Sequence, residues 1–511
     1  MNVNVFVDVR WEGTGVYVFS ESFLESVLFS KDKLEKKFGE NININVYFAT
    51  FDNNSVKYYK ADIKKLLDFI NRRNILGFHD YLKSRRYKED SKEVDIDEII
   101  KETKGKPKIF SNFGLLAFNN TINNKLEDII DKYTVGHFHG DIIGPIILEL
   151  VKLRNEGKIK LNEKENEKLN YLHYKILRSS IVDEGLVKES LDFIEYLYRN
   201  NEDFKNNFGW IRDIEIAQYK NLLETIGKKD AISIFPTYAL YKDIDSLNRI
   251  LNNGKTLRRF YADFGEPIIM VSIDKIYKNE INKVKEFYKD LYGNNNEYNL
   301  NGKIKYWLVY NGRTSEERGF KSILYIYEKL LESGENVGLI IISSNLQEGS
   351  EEFNKLKNIV EKYKKRSVIH LYGDSLLNSL HKNPIYYISL LRVLGELKSS
   401  VYINPAYRES YGLAMLEALI LGEIPVVYRD VDGISSLKEI GYLKYELGGI
   451  SDQELYEIAK EIIKGIKEGK YDKYINKRII KKLREETDPE EVSEKYQDII
   501  EDIIYEEKQE N

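Results

Sequence analysis

The chain has 511 residues, 42% of them hydrophobic, a formal net charge of −5 and no cysteine. That is too long for one compact core and enough apolar material for about two α/β domains, while the acidic balance and a pI near 6.0 exclude the strongly basic face of a nucleic-acid binder. Without a thiol there is no disulfide, thiol catalysis or thiolate metal site, and the absence of a charged-then-apolar leader or a run of about eighteen apolar residues predicts a cytoplasmic protein.

The opening predicts a strand over Val3 to Val9, then Arg10, the glycine turn Glu12-Gly13-Thr14-Gly15 and a helix from about Ser20. Ligands of a doubly wound sheet meet the loops at the strands' C-terminal ends. Gly13 and Gly15 are therefore candidates for a close backbone approach, although two glycines after a strand also make an ordinary turn. Asn43 to Thr50 reads as a second strand. The pattern from Ala61 to Lys88 predicts one long helix, with Ile63, Leu66, Leu67 and Ile70 on one face and basic residues such as Lys64, Lys65, Arg72, Arg73, Arg85 and Arg86 elsewhere. Such a helix can lie on anionic lipid; it can equally pack on the sheet with a solvated basic side. Lys88 to Lys108, highly charged and without an apolar stripe, reads as a surface excursion.

Lys132 to His139 predicts a strand ending in His137-Phe138-His139-Gly140-Asp141, with a helix from about Ile142 to Leu153. His137 and His139 share one face of a regular strand. His-x-His-x-Asp is also metal-ligand spacing, but the further His of the commoner zinc motifs is missing; a structural histidine is the third reading. Glu163 to Ile226 is mostly helical in period, Asp230 to Thr237 and Pro267 to Ile273 read as further strands, and Asn279 to Gly302 is the linker candidate.

Beyond the linker the rhythm restarts: strand Tyr306 to Tyr310, helix Lys321 to Ser333, strand Val337 to Ser343, helix Glu351 to Tyr363, strand Ser367 to Tyr372. Strands alternating with helices of this length specify a parallel, doubly wound sheet. The first of these strands runs into Asn311-Gly312-Arg313-Thr314-Ser315-Glu316-Glu317-Arg318-Gly319, two guanidinium groups flanked by glycines, with Lys321 close by. Val401 to Gly433, VYINPAYRESYGLAMLEALILGEIPVVYRDVDG, reads as strand, turn, helix and strand. Gly412 falls where the helix begins, so backbone N–H groups and the positive end of the helix dipole offer a place for an anion. Glu409 and Glu417, with seven residues between them, bracket that turn.

The phrase ESYGLAMLEALILGEIPVV resembles the Glu, seven residues, Glu signature of retaining glycosyltransferases with the GT-B fold. It is most similar to glycosyltransferase family 4, whose usual wording is Glu-(Gly/Ser)-aromatic-Gly-Leu-x-x-x-Glu-Ala-x-x-x-Gly-x-Pro-Val-Val. The resemblance implies an α/β chain of two Rossmann-like doubly wound domains facing a central cleft: an acceptor-side domain over residues 1–275, a nucleotide-sugar-binding domain over 276–480, and a final helix within 481–511 that crosses back to the first domain. It implies that Glu409 holds sugar hydroxyls, that Ser410, Tyr411, Gly412 and Leu413 meet sugar and phosphate, and that Glu417 takes the nucleotide ribose. The family phrase Gly-Arg-x-x-x-x-Lys-Gly clamps the donor diphosphate; Arg313 matches, Arg318 stands where Lys is usual, giving a planar fork in place of a point charge, and Lys321 is a backup cation. In the first domain, VDVRWEGTG is similar to the family's opening Asp-x-Arg…Gly-x-Gly, where Gly13 and Gly15 would let the backbone approach the diphosphate and acceptor, and His139 stands where the family has its sugar-binding histidine. Val271-Ser272-Ile273-Asp274 lacks the Asn-Gly of the family's Asn-Gly-Val-Asp. Asp430-Val431-Asp432 has the Asp-x-Asp form that carries the metal in the other large glycosyltransferase fold; like the triplets at Asp95 and Asp243, it reads as chance.

The implied activity is retaining, metal-independent transfer of a hexose, glucose foremost, from a nucleotide diphosphate sugar, with a UDP-sugar favoured, to an acceptor hydroxyl. Glu409, His139, Arg313 and Arg318 would act at the reacting centre without a cofactor. The implied partners are the nucleotide sugar and the acceptor, with no nucleic acid and with anionic lipid as a peripheral contact for residues 61–88. A sugar-nucleotide epimerase and a catalytically silent binding partner share the architecture, and fold alone does not choose among the three.

Overall fold

A strand buried on both faces must be apolar nearly throughout, and the chain opens on one: β1 (Asn2–Asp8) is buried from Val3 to Asp8. The computed structural model describes residues 1–9, 15–39, 41–52, 55–73, 81–82, 85–110, 125–131, 133–137, 143–178, 184–209, 211–212, 232–235, 260–262, 306–343, 346, 349–363, 368–371, 391, 394–395, 398–407, 412–429, 431, 447–486, 498, 501, 505 and 509. Two compact units emerge, one of Met1–Ile176, Ile181–Ile269 and Glu486–Asn511, the other of Leu177–Ser180 and Met270–Glu485.

After β1 come α1 (Gly15–Phe38), β2 (Asn43–Asp52), β3 (Ser55–Ala61), α2 (Ile63–Arg73), α3 (Arg86–Glu89), β4 (Ser91–Val94), α4 (Ile96–Thr103) and β5 (Lys108–Phe110). They are followed by α5 (Leu126–Ile129), β6 (Thr134–His137), α6 (Ile143–Asn155), α7 (Glu163–Arg178), α8 (Glu184–Asn200), α9 (Glu202–Phe208), β7 (Ile232–Phe235) and β8 (Phe260–Ala262). The strands form one eight-stranded sheet in the order β4-β3-β2-β1-β5-β6-β7-β8. Only β3 runs antiparallel to its neighbours, β2 and β4. Across the centre, Phe6 faces Tyr47 on one side and Phe110 on the other in register, and the three rings stack with centroids 5.1 and 4.5 Å apart. Near the end of the sequence, Glu501 pairs with Lys37 and Tyr505 sets its ring edge-on to Phe38 at 5.3 Å, so these two residues lie on α1.

Three expectations change here. The single helix expected over 61–88 is not formed: Ala61 ends β3, α2 stops at Arg73, and Arg85 sits at φ 58, a left-handed conformation through which a right-handed helix cannot continue. Leu66 of α2 is completely buried, with Ile63 and Phe69 packed on the same core, so the helix spends its apolar face on the sheet and leaves Lys64 and Lys65 exposed. Nor is the charged stretch after it a surface excursion. Its first part joins the sheet edge as β4, and α4 buries Ile96, Ile99 and Thr103. The Asp95 side chain caps α4 by accepting from the N–H of Asp97 at 2.7 Å, which gives that Asp-x-Asp triplet a structural role worth ~1 kcal/mol. Finally, α1 begins at Gly15, not near Ser20. The strand expected at 267–273 and the linker at 279–302 lie outside the described residues.

The second unit contains β9 (Tyr306–Asn311), α10 (Phe320–Glu332), β10 (Val337–Ile342), α11 (Glu351–Lys362), β11 (Val368–Leu371), β12 (Ser400–Asn404), α12 (Leu413–Ile420) and β13 (Ile424–Tyr428). It continues with β14 (Gly448–Gly449), α13 (Asp452–Lys467), α14 (Tyr471–Tyr474) and α15 (Lys477–Glu486). Its sheet is parallel throughout, in the order β11-β10-β9-β12-β13-β14. Gly338 of β10 lies beside Trp307 of β9, and a Cβ there would sit 2.2 Å from the indole; the glycine makes the space in which the ring is buried.

At the amino edge of this sheet Glu423 is completely buried in the turn before β13. Ser400 donates to one carboxyl oxygen at 2.6 Å, and the other oxygen has no partner. Burial pushes the carboxyl up from its ordinary 4.5 to about 8, against the Ser400 hydrogen bond, which pulls it down. Between those values the folded chain keeps a proton that the unfolded chain has lost, so stability falls as pH rises through that window, by at most ~1.4 kcal/mol per pH unit, and levels off above it. Glu423→Gln, which cannot ionise, should flatten the decline in thermal midpoint between about pH 5 and pH 8.5. Equal slopes in variant and wild type would show that the carboxyl does not carry the effect.

Candidate active site

Strands β9 and β12 are neighbours, with Val401 opposite Leu308 and Tyr402 opposite Val309. They are also the pair at which the chain order turns, since β10 and β11 continue to one side and β13 and β14 to the other. At such a switch point the loops leaving the two carboxyl ends diverge and open a crevice. The first of these is residues 312–319; of the second, residues 405–407 and 412 are described.

The first loop carries the two arginines, Arg313 exposed and Arg318 half-buried at the end of a 3-10 turn over Glu316–Arg318, with Lys321 exposed in the first turn of α10. Its shape is set from beneath. The Tyr310 hydroxyl, on a buried ring at the end of β9, reaches the carbonyl oxygens of both Arg313 and Arg318, the latter at 3.3 Å. Gly312 leaves room for this: a Cβ there would lie 3.1 Å from that hydroxyl. Gly319 closes the loop at φ 68, with its N–H donating to the Glu316 carbonyl at 2.9 Å.

The second loop begins at Pro405 and ends at Gly412, which precedes α12 at φ 77, ψ 41 and accepts at its carbonyl from Met415 and Leu416, both at 2.9 Å. Among the described residues no side chain caps this helix start, and its first turn holds no acid, so its positive dipole end suits an anion. Glu417 lies little more than a turn inside the helix, half-exposed. The two loops touch: a Cβ on Gly319 would fall 1.7 Å from the Pro405 carbonyl oxygen, so the backbones meet directly.

Of the residues expected at the site, Arg313, Arg318, Lys321, Gly412, Leu413 and Glu417 therefore come from two touching loops and the helices that follow them. Gly15 is the first residue of α1 in the other unit, following β1 at that sheet's own switch point between β1 and β5. Gly13, His139, Glu409, Ser410 and Tyr411 lie outside the described residues; His137 ends β6. Among the described residues no group of three His, Asp or Glu could hold a metal ion. Sequence reasoning missed Tyr310 and Pro405. A tyrosine near the end of an apolar strand is the signal for the first, because its hydroxyl has to find a partner where the strand emerges.

Residues 295–482 match the family model of glycosyl transferases group 1. The second unit carries a glycosyl transferases group 1 domain. The match bears out the family resemblance read from the stretch Val401 to Gly433. No curated protein matches it in sequence. Among solved structures, the chain is similar to sucrose-phosphate synthase from Thermosynechococcus elongatus at 10% identity and TM-score 0.51, covering 99% of each chain. It is also similar to an α,α-trehalose 6-phosphate synthase from Burkholderia multivorans (11% identity, 99% and 97% covered, TM-score 0.49) and to HepE from Anabaena, solved with UDP and glucose (10%, 98% and 100%, 0.49). The likeness to the first shows the fold, which is GT-B: two Rossmann-like α/β domains. The group 1 phrase is altered at one place, where Glu423 and Ile424 both stand between Gly422 and Pro425 and the usual wording has a single residue; Gly422 makes the turn at φ 95.

The loop contact makes two variants informative. Gly319→Ala would strain a left-handed residue by ~1 kcal/mol or more and drive its methyl into the Pro405 carbonyl, so it should lower the thermal midpoint and abolish nucleotide-diphosphate binding by calorimetry. Tyr310→Phe keeps the ring against Phe320, 5.5 Å away, but loses the hydroxyl. It should keep the fold and weaken diphosphate binding by about fivefold, the worth of a hydrogen bond; unchanged affinity would show that the hydroxyl does not set the arginine loop.

Proposed function

We propose that this chain is a retaining, metal-independent hexosyltransferase that moves glucose from a UDP-sugar to an acceptor hydroxyl. The observation that supports it most is the direct contact of Gly319 with Pro405, which brings the arginine loop and the Gly412 helix start to one place at the switch point of the sheet. A leaving diphosphate gathers negative charge as its bond to the sugar breaks. Fixed cations and peptide dipoles stabilise that charge without having to reorganise during the reaction.

In this reading Arg313 and Arg318 hold the diphosphate, Lys321 adds charge from α10, and the amides from Ser410 to Leu413 meet sugar and phosphate. Glu417 takes the ribose, so that binding energy far from the reacting carbon orients it. Glu409 and His139 hold the hexose hydroxyls, and Gly13 and Gly15 give the first domain its close approach to diphosphate and acceptor. The bond between the anomeric carbon and the phosphate oxygen breaks, and the acceptor oxygen bonds to the same face of that carbon. The acceptor's proton passes to the departing phosphate oxygen, so the products are the α-linked glucoside and the nucleoside diphosphate. For the peripheral lipid contact read from residues 61–88, the support left is charge alone, ~1 kcal/mol for each basic residue near an anionic surface, because α2 uses its apolar side in the core.

The test is incubation with UDP-glucose and a panel of hydroxyl acceptors, reading UDP release and the anomeric configuration of the product by NMR. Arg313→Ala and Glu409→Ala should each lower kcat/KM by roughly 10²–10³ with an unchanged circular dichroism spectrum. Full activity in Arg313→Ala would overturn the assignment. An isomerised donor formed without acceptor would replace transfer by epimerisation, and donor binding without turnover would make the chain a silent partner.

A further inference from the structure

At the amino edge of the second sheet, α14 and α15 are tied down by Tyr471, which donates to the Gly422 carbonyl, and by Arg484, which donates to that of Ile420 at 3.0 Å. Inward, α15 buries Ile480 and Leu483. Outward it shows Lys477, Arg478, Lys481, Lys482 and Glu485, a spacing that puts all five on one side of the helix. Lys473 is exposed just before them. Lys398, exposed in the turn before β12, joins the same surface: its ammonium lies 2.7 Å from one oxygen of Asp472, whose other oxygen is 3.9 Å from the ammonium of Lys477. Among the described residues the patch thus sets six exposed cations around two exposed carboxylates, an excess of four in a chain whose net charge is −5. Asp472 registers it, since the hydrogen bond from Lys398 foremost, and then the charges of Lys398 and Lys477, hold its carboxyl below the usual range.

Helix stability does not explain these cations. The first turn of α15 holds no acid and opens on Lys477 and Arg478, at the positive end of the helix dipole, where a cation costs stability. Asn476 caps that start without their help, accepting at its side chain from the N–H groups of Arg478 and Ile479 at 3.2 and 3.3 Å. Ion pairing does not explain them either. The side chains of Lys477 and Lys481 are 81% and 79% exposed, with carboxylate oxygens 3.9 and 3.5 Å away, and such pairs contribute little at a surface.

We propose that this face is a docking surface for a membrane carrying anionic lipid, held by charge alone. The residue types select that partner. Five of the six cations are Lys, which protein interfaces avoid in favour of Arg and aromatic anchors. None of the exposed residues of α15 is aromatic, so the face lacks the rings on which a nucleic acid stacks its bases. A lipid surface asks only for a density of mobile point charges within a Debye length of it. Each basic residue there multiplies the partition by about fivefold, so an excess of four gives roughly 10²–10³, a weak and reversible attachment that salt removes. Docking at the amino edge leaves the loops at the carboxyl edge of the same sheet uncovered. The surface is separate from residues 61–88, and the inference does not depend on which reaction the crevice carries out.

The test is co-sedimentation of the full chain with phosphatidylcholine vesicles and with vesicles in which about 30% of the lipid is phosphatidylglycerol. The wild type should partition about a hundredfold or more in favour of the anionic vesicles at about 0.1 M salt, and lose that preference at about 0.5 M. The triple variant Lys477→Gln/Arg478→Gln/Lys481→Gln changes exposed side chains only, so it should keep the circular dichroism spectrum while its partition falls roughly a hundredfold. Lys64→Gln/Lys65→Gln on α2 should shift the partition by less than about threefold. Equal partition onto the two kinds of vesicle, or equal partition of the triple variant and the wild type, overturns the proposal. A loss in the α2 variant as large as in the triple variant overturns it by moving the contact to α2. A DNA duplex bound more tightly than the anionic vesicles, and released by the triple variant, overturns it by assigning the face to nucleic acid.

Discussion

The contact on which the second unit depends is backbone against backbone: the α-carbon of Gly319 against the carbonyl of Pro405, with no room for a methyl group between them. Cationic side chains and a helix start can bind one diphosphate only if they stay within a few ångströms of each other, yet both are positive and repel. At the high effective dielectric of an exposed site that repulsion is ~1 kcal/mol at contact distance and grows several-fold once water is excluded. Neutral contacts beneath the charges hold the arrangement against it. Tyr310 bonds to main-chain carbonyls of the arginine residues, Gly319 closes on Pro405, and Tyr407 ties to Ser322. None of these uses a guanidinium group, so the backbone of the loop is fixed by contacts other than its charges.

That arrangement follows from sheet topology. In each unit the chain builds outward from a central strand in one direction, returns, and builds in the other, and the reversal falls between β1 and β5 in the first unit and between β9 and β12 in the second. At such a point adjacent parallel strands point the same way while the connections leaving them diverge, which opens a crevice at their carboxyl ends. The glycine-bearing stretch of sequence before α1 follows one such strand, and the arginine loop follows the other. The opposite edge of the second sheet is closed: Tyr471 donates to the Gly422 carbonyl, Arg484 to that of Ile420, and Glu423 is sealed in the turn between them. These polar groups serve the fold.

The second unit was far more legible in sequence than the first, for a physical reason. Its strands are buried on both faces and its helices have clean apolar stripes, so periodicity alone places β9, β10, β12 and β13 almost to the residue. In the first unit the edge strands β3 and β4 are partly exposed and rich in Lys, Glu, Ser and Tyr, which carry little hydrophobic signal. The three-residue strands β5 and β8 are too short to show a period at all. The long helix read over 61–88 failed because basic residues suit a solvated helix face wherever they fall; the left-handed Arg85 that breaks it is not visible in composition. At the site the charged residues could be named from spacing, while Tyr310 and Pro405, which place them, act through main-chain contacts that no motif records.

The same difference explains why the substitution of Arg for the usual Lys at 318 is tolerable. A lysine reaches a phosphate as a mobile point charge and can correct for an imprecise loop, whereas a guanidinium must present its fork at a defined angle. Here the carbonyl of residue 318 is held by the Tyr310 hydroxyl, the next residue turns through a left-handed glycine, and Phe320 behind it is completely buried, so the Cα of Arg318 is fixed on three sides. A loop held that firmly can use the directional cation. On the proposed function, the fork from this loop and the positive end of α12 would meet a diphosphate with the backbone beneath them already set, so that little of its binding energy would go into ordering the loop.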